Sequence, residues 1–168
     1  LVAAIELDQV LARQAIDVAM DYIAGPIRIG HETFGHDLAD CALVFDLCYE
    51  YWTQTERDRY IAYMNATVDS NVNSETQVFH NGWYGYKNWG IGMACYATYY
   101  ENPRASAILD TLYADYTQRA APALRLAGSG GGWAEGYYIH YWEFEWLFFC
   151  EVARICGGKD LYAEAPGF

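Results

Sequence analysis

Each of the chain's four histidines stands beside other groups capable of chemistry. His31 and His36 fall in HETFGHD, which ends on Asp37. His80 and Asn81 open HNGWYGYKNW, and Trp83, Tyr84, Tyr86, Lys87 and Asn88 follow. His140 falls late in GSGGGWAEGYYIHYW (residues 128–142), among Trp133, Glu135, Tyr137, Tyr138 and Tyr141. Imidazole, amide, phenol and carboxylate are the groups that move protons or steady developing charge, and the rings between them offer stacking faces. Because all four histidines fall in these three clusters, one shared site is the economical expectation.

Each cluster also has a structural interpretation. His31 and His36 suit capping the following helix as well as they suit catalysis. Tyr/Trp-rich helices are usually core, so Tyr141, Trp142 and Trp146 are read first as packing residues. His80-Asn81 resists that treatment: both are poor helix formers, beside Gly82, at the mouth of a helix. Four glycines in GSGGG let the chain turn sharply and approach a ligand closely, directly ahead of the third cluster.

The elements that must position these residues are helices. A first helix over about 7–24 carries Val10, Leu11, Ala15, Val18 and Tyr22 at helical spacing and stops at Gly25-Pro26. A second, over about 37–52, shows one stripe of Leu38, Cys41, Ala42, Phe45, Cys48, Tyr49 and Trp52, with Asp37 and Asp40 in its first turn. Thr53-Gln54-Thr55-Glu56 is a capping box that starts a third helix, running to about Val68. A fourth covers about 84–100 and stops before Asn102-Pro103, which opens a fifth reaching about Leu126 with a kink at Pro122. The sixth runs over about 138–156 and ends at Gly157-Gly158. No alternating run long enough for a sheet occurs. The fold class is therefore all-α, as three antiparallel helical hairpins. The long loops over 25–36 and 69–83 hold His, Asn and aromatics, which suits part of an (α/α) toroid around a central cleft.

Composition narrows the partners. At 168 residues the chain is the size of one domain, and its net charge of −12 opposes nucleic acid, which needs a basic face. A local basic pocket can still hold one carboxylate. The longest apolar run, Trp146 to Cys150, is far too short to span a bilayer. The opening LVAAIELDQV has no signal-peptide pattern, and the chain reads as a fragment or processed piece. Five cysteines without CxxC spacing indicate neither a disulfide framework nor a zinc site, and no metal or cofactor is expected.

HNGWYGYKNWGIGMACYATYYENPRASAILD followed by GGGWAEGYYIHYW resembles the heparinase II/III-like polysaccharide lyases, a group that includes alginate and oligoalginate lyases. DLADCALVFDLCYEYWTQTERDRY resembles the preceding hairpin of that toroid. The resemblance spans about residues 36–158, and the order and spacing of the motifs carry it. It implies β-elimination at a uronic acid in an acidic polysaccharide. A base removes the C5 proton, and the C4 oxygen leaves. Asn81 and His80 would neutralise the uronate carboxylate. Tyr138 would be the acid to the leaving oxygen and able to act as base, with Tyr137 and Tyr141 as rivals. A free phenol titrates near about 10, so the site would have to stabilise phenolate or relay its proton. Trp83, Tyr84, Lys87, Trp133, Tyr137, His140, Tyr141, His31 and His36 would line the substrate, with Glu135 orienting its loop. The family adds a β-sandwich domain that closes the cleft, absent from this chain, and a periplasmic or secreted location.

Two other classes remain open from the residues. A glycoside hydrolase on a similar toroid would use Glu135 as general acid, with Asp37 or Glu143 as the second carboxylate. A non-catalytic carbohydrate-binding module would use the aromatics as stacking platforms.

Overall fold

A computed structural model describes residues 8–30, 34–74, 76–128, 130, 132–133, 136–137 and 143–166. The described residues are helical or irregular, with no strand among them, as the all-α expectation requires. No described helix is long and apolar enough to cross a membrane.

Helix α1 (Gln9–Ile23) starts where the Asp8 carboxylate accepts the Val10 and Leu11 N–H groups, an aspartate cap on otherwise unpaired donors. Its buried face is Ala12, Ile16, Ala19 and Ile23. That corrects the expected stripe: Val10 and Val18 are 66% and 71% exposed. Both apolar faces have helical spacing. The narrower one, built on two alanines, is the one turned inward.

Helix α2 (Phe34–Leu47) begins three residues before the expected start and ends earlier, in a 3-10 turn at Tyr49–Tyr51. Its stripe is buried as expected except for Tyr49, which is exposed. Helix α3 (Gln54–Ser70) opens on the anticipated capping box: Glu56 N–H donates to Thr53 Oγ1, and Thr53 N–H donates to Glu56 Oε2 at 2.8 Å.

The fourth predicted helix departs most from expectation. It begins at Gly82, not Tyr84, as a π-helical segment (Gly82–Trp89) that passes into α4 (Gly90–Ala97). A π-helix bonds i to i+5 and is uncommon, and such segments recur at functional sites. Asn88, only 2% exposed, donates its side-chain amide to the Trp83 carbonyl, supporting the widened turn from within.

Asn102 makes an Asx-type turn, accepting the Arg104 N–H at 3.0 Å, and α5 (Ala105–Asp115) starts two residues after Pro103. The chain then widens into a second π turn (Tyr116–Ala120) before α6 (Ala121–Ala127). Pro122, where a kink was expected, falls in the first turn of α6, just after this segment. Helix α7 (Glu143–Gly157) ends at Gly158, where φ is +62° and Lys159 N–H reaches back to the Ala153 carbonyl. A short unanticipated α8 (Leu161–Glu164) follows.

The start of α7 meets two other helix starts. Glu145 lies 3.7 Å from His36 in the first turn of α2, and Trp146 packs on Trp83 and Tyr84 in the π segment. Farther along, Gly90 presses against Gly35 of α2, Gly92 lies under the Phe149 ring, and Trp89 meets Phe148 edge-on. Trp83, Tyr84, Tyr116, Trp146 and Phe149 form a continuous aromatic core.

Candidate functional site

His80 and Asn81 sit where the sequence places them, at the mouth of the helix that opens with Gly82. His80 N–H donates to the Gln77 carbonyl, and the His80 carbonyl accepts the Trp83 N–H, so a turn hands the loop directly to the helix. The Gly82 N–H donates to His80 Nδ1 at 3.2 Å. An Nδ1 that accepts a backbone N–H leaves Nε2 as the ring position able to donate. Asn81 is 7% exposed and His80 is half-buried.

The loop leading into His80 is stapled from three directions, all by residues whose part was not legible in the sequence. Asn71, fully buried at the end of α3, donates to the carbonyls of Arg28 and Thr67, both at 2.9 Å. Its Oδ1 accepts Gly30 N–H and the Ser74 hydroxyl, joining both long loops. Lys87 Nζ donates to the carbonyls of Val72 and Ser74. Arg119 donates to the Thr76 carbonyl and pairs with Asp115 at 2.7 Å, while Asp115 also accepts the Trp83 indole N–H at 3.0 Å. The only sequence cue was a polar residue at a helix end, common to most C-caps.

Two expected substrate contacts are corrected. Trp83 and Tyr84 are fully buried, their polar tips spent on Asp115 and the Val78 carbonyl. A ring closed on both faces by core packing has no face for a sugar. Burial also drives the Tyr84 phenol far above its ordinary pKa, removing it as an acid or base near neutrality. Lys87 acts as a loop staple.

The glycine-rich stretch turns as anticipated. Gly130 and Gly136 have φ of +84° and +58°, and Gly136 N–H donates to the Trp133 carbonyl. Trp133, half-buried, packs edge-on against Tyr84 at 5.3 Å, so this loop lies on the helix that His80 and Asn81 open. Tyr137 is 74% exposed. Glu135, Tyr138, His140, Tyr141 and His31 lie outside the described residues.

His36 has its Nδ1 3.7 Å from Glu145 Oε1, with both side chains partly exposed. Glu145 was not anticipated, although an acidic residue one helical turn before the buried Phe149 was the available signal. Of the carboxylates weighed for hydrolysis, Asp37 pairs with Arg28 at 3.2 Å and Glu143 is exposed.

A cleft of about 710 Å³ lies elsewhere, between the later turns of α2, α4 and α7 and the first turns of α5. Among the described residues, its lining holds no histidine or amide side chain. Size alone therefore does not make it the catalytic candidate. Its polar groups include phenols, two carboxylates and Lys159, whereas the imidazole of His80 and the amide of Asn81 stand at the start of the π segment.

Comparison with family models, curated proteins and solved structures finds no match to this chain.

Proposed function

We propose that the chain is part of the (α/α) toroid of a polysaccharide lyase that cleaves a uronic-acid-containing polymer by β-elimination. The observation that supports it is the helix mouth at Gly82, where the chain sets an imidazole, oriented by the Gly82 N–H on His80 Nδ1, next in sequence to the Asn81 amide. A neutral donor and an amide suit a uronate carboxylate, whose charge must be offset before the C5 proton becomes acidic.

The toroid proposal draws on the contact pattern. Early residues of α2, the π segment and α7 meet one another, and late residues of α2, α4 and α7 line one cleft. Three helices side by side with a common direction would form the inner wall of such a ring. The outer wall would be α1 and α3, joined through the Arg13–Glu56 ion pair and the Tyr22–Tyr63 ring contact. Helix starts gathered at one end also favour an anion there.

In the reaction a base takes the C5 proton. The electrons of that C–H bond form the C4–C5 double bond, and the C4–O bond breaks. Tyr138 protonates the departing oxygen, with Tyr137 and Tyr141 as its rivals.

The test is ultraviolet absorbance of a double bond conjugated to a carboxylate, recorded with uronate polymers, alongside oligouronate binding by the 168-residue chain. Asn81→Ala and His80→Ala should each lower kcat/KM by about 10²-fold or more, the scale of losing one charge-stabilising donor. They should also weaken oligouronate binding. Tyr138→Phe should abolish turnover and spare binding. Reducing ends without that absorbance would point instead to hydrolysis through Glu135. No oligouronate binding at all would overturn the lyase.

A further inference from the structure

We propose that the 710 Å³ cleft at the far end of the helices binds an amphipathic organic cation, an ammonium group carrying an apolar body. The site stands apart from the proposed lyase chemistry and shares no residue with it. Its volume falls in the range of small-molecule pockets. Its floor is apolar, with Met93 and Leu109 buried and Leu43 half-buried. Its rim is aromatic: Tyr99 and Tyr100 meet edge-to-face at 5.5 Å and are 44% and 98% exposed, and Phe148 is 49% exposed. Large rings left open around a buried floor are unusual for a surface with no ligand.

Charge decides which ligand. Two carboxylates line the cleft from different helices, Asp46 on α2 and Asp110 on α5. The chain as a whole carries −12, so its field draws cations to such a mouth. The cleft also already holds one ammonium. Lys159 Nζ lies 5.5 Å from the centroid of the Tyr113 ring, within cation–π range. Gly158 produces that placement, because its positive φ turns the chain back over α7. A tethered ammonium on an aromatic wall shows the chemistry the wall accepts. A free cation with an apolar body would place its charge by Asp46, Asp110 and the tyrosine faces, and its body on the floor.

The test titrates the 168-residue chain with benzyltrimethylammonium, followed by amide NMR shifts. The expected result is saturable millimolar or tighter binding, with shifts in segments 42–47, 93–113 and 148–159 and not in 77–87. Asp46→Asn and Asp110→Asn should each weaken binding by about threefold or more, and Lys159→Gln, which removes the resident charge, should tighten it. Neopentylbenzene, the neutral isostere, should bind more weakly. Equal binding of the isostere, indifference to all three substitutions, or no shifts at this cleft would each overturn the proposal. Preferential binding of galacturonate there would overturn it as well.

Discussion

Glu56 serves a helix cap and an ion pair with one carboxylate. Arg13 donates to both oxygens, NH2 to Oε1 at 2.7 Å and NH1 to Oε2 at 3.1 Å, and Oε2 also accepts Thr53 N–H to close the cap of α3. Arg13, above all, holds the Glu56 carboxyl down at about 2, with the Thr53 bonds assisting. A carboxyl whose folded value lies below its unfolded value stabilises the fold above the unfolded value, about 4.3. That contribution fades as pH falls from there through about 2. Glu56→Gln should therefore cost about 1 kcal/mol at neutral pH. It should also flatten the acid limb of stability across that window, read as urea midpoints against pH. A variant with an unchanged acid limb would detach Glu56 from acid unfolding. The cap was legible because its residues are three apart. The Arg13 partner, 43 residues away, was not. His80 and Asn81 were legible for a related reason: poor helix formers at a helix mouth stand out locally, whereas the partners of Asn71, Lys87 and Arg119 exist only after folding.

At the scale of elements, two glycines set how closely helices approach. A Cβ on Gly90 would lie 2.5 Å from the Gly35 carbonyl oxygen, backbone against backbone. A Cβ on Gly92 would come closer still to the Phe149 ring, but that ring is a side chain with some freedom to shift. Alanine helps an isolated helix by about 1 kcal/mol over glycine, but overpacking commonly costs more. Gly90→Ala should destabilise by about 3 kcal/mol net and Gly92→Ala by less, measured by thermal or urea unfolding. The reverse order would mean that α2 and α4 separate more easily than Phe149 moves. The capping box located α3, and periodicity located the buried stripe of α2. It misjudged the inward face of α1 because two apolar faces had equally good spacing. It also missed the π segment, since i to i+5 bonding leaves no periodic signature in eight residues.

Over the whole molecule, the five cysteines are free thiols, four buried and only Cys156 exposed. Burial pushes the thiols of Cys41, Cys95 and Cys150 up to about 12. One thiol should react promptly with a disulfide reagent in the native chain at pH 8, and all five in denaturant. A second fast native thiol would mean the core opens readily. Sequence by itself determined the all-α class, the order of the main helices, the α3 cap and the candidacy of His80 and Asn81. All of these rest on residues a few positions apart, where propensity, capping and hydrophobic period act. Only tertiary structure decided that Trp83 and Tyr84 are core and that Lys87 and Arg119 hold the His80 loop. It alone showed that Glu145 stands by His36 and that a tyrosine-rimmed cleft lies at the opposite end. Those outcomes depend on which surfaces meet across dozens of residues, and an aromatic or a lysine has the same local propensity on either side of such a contact.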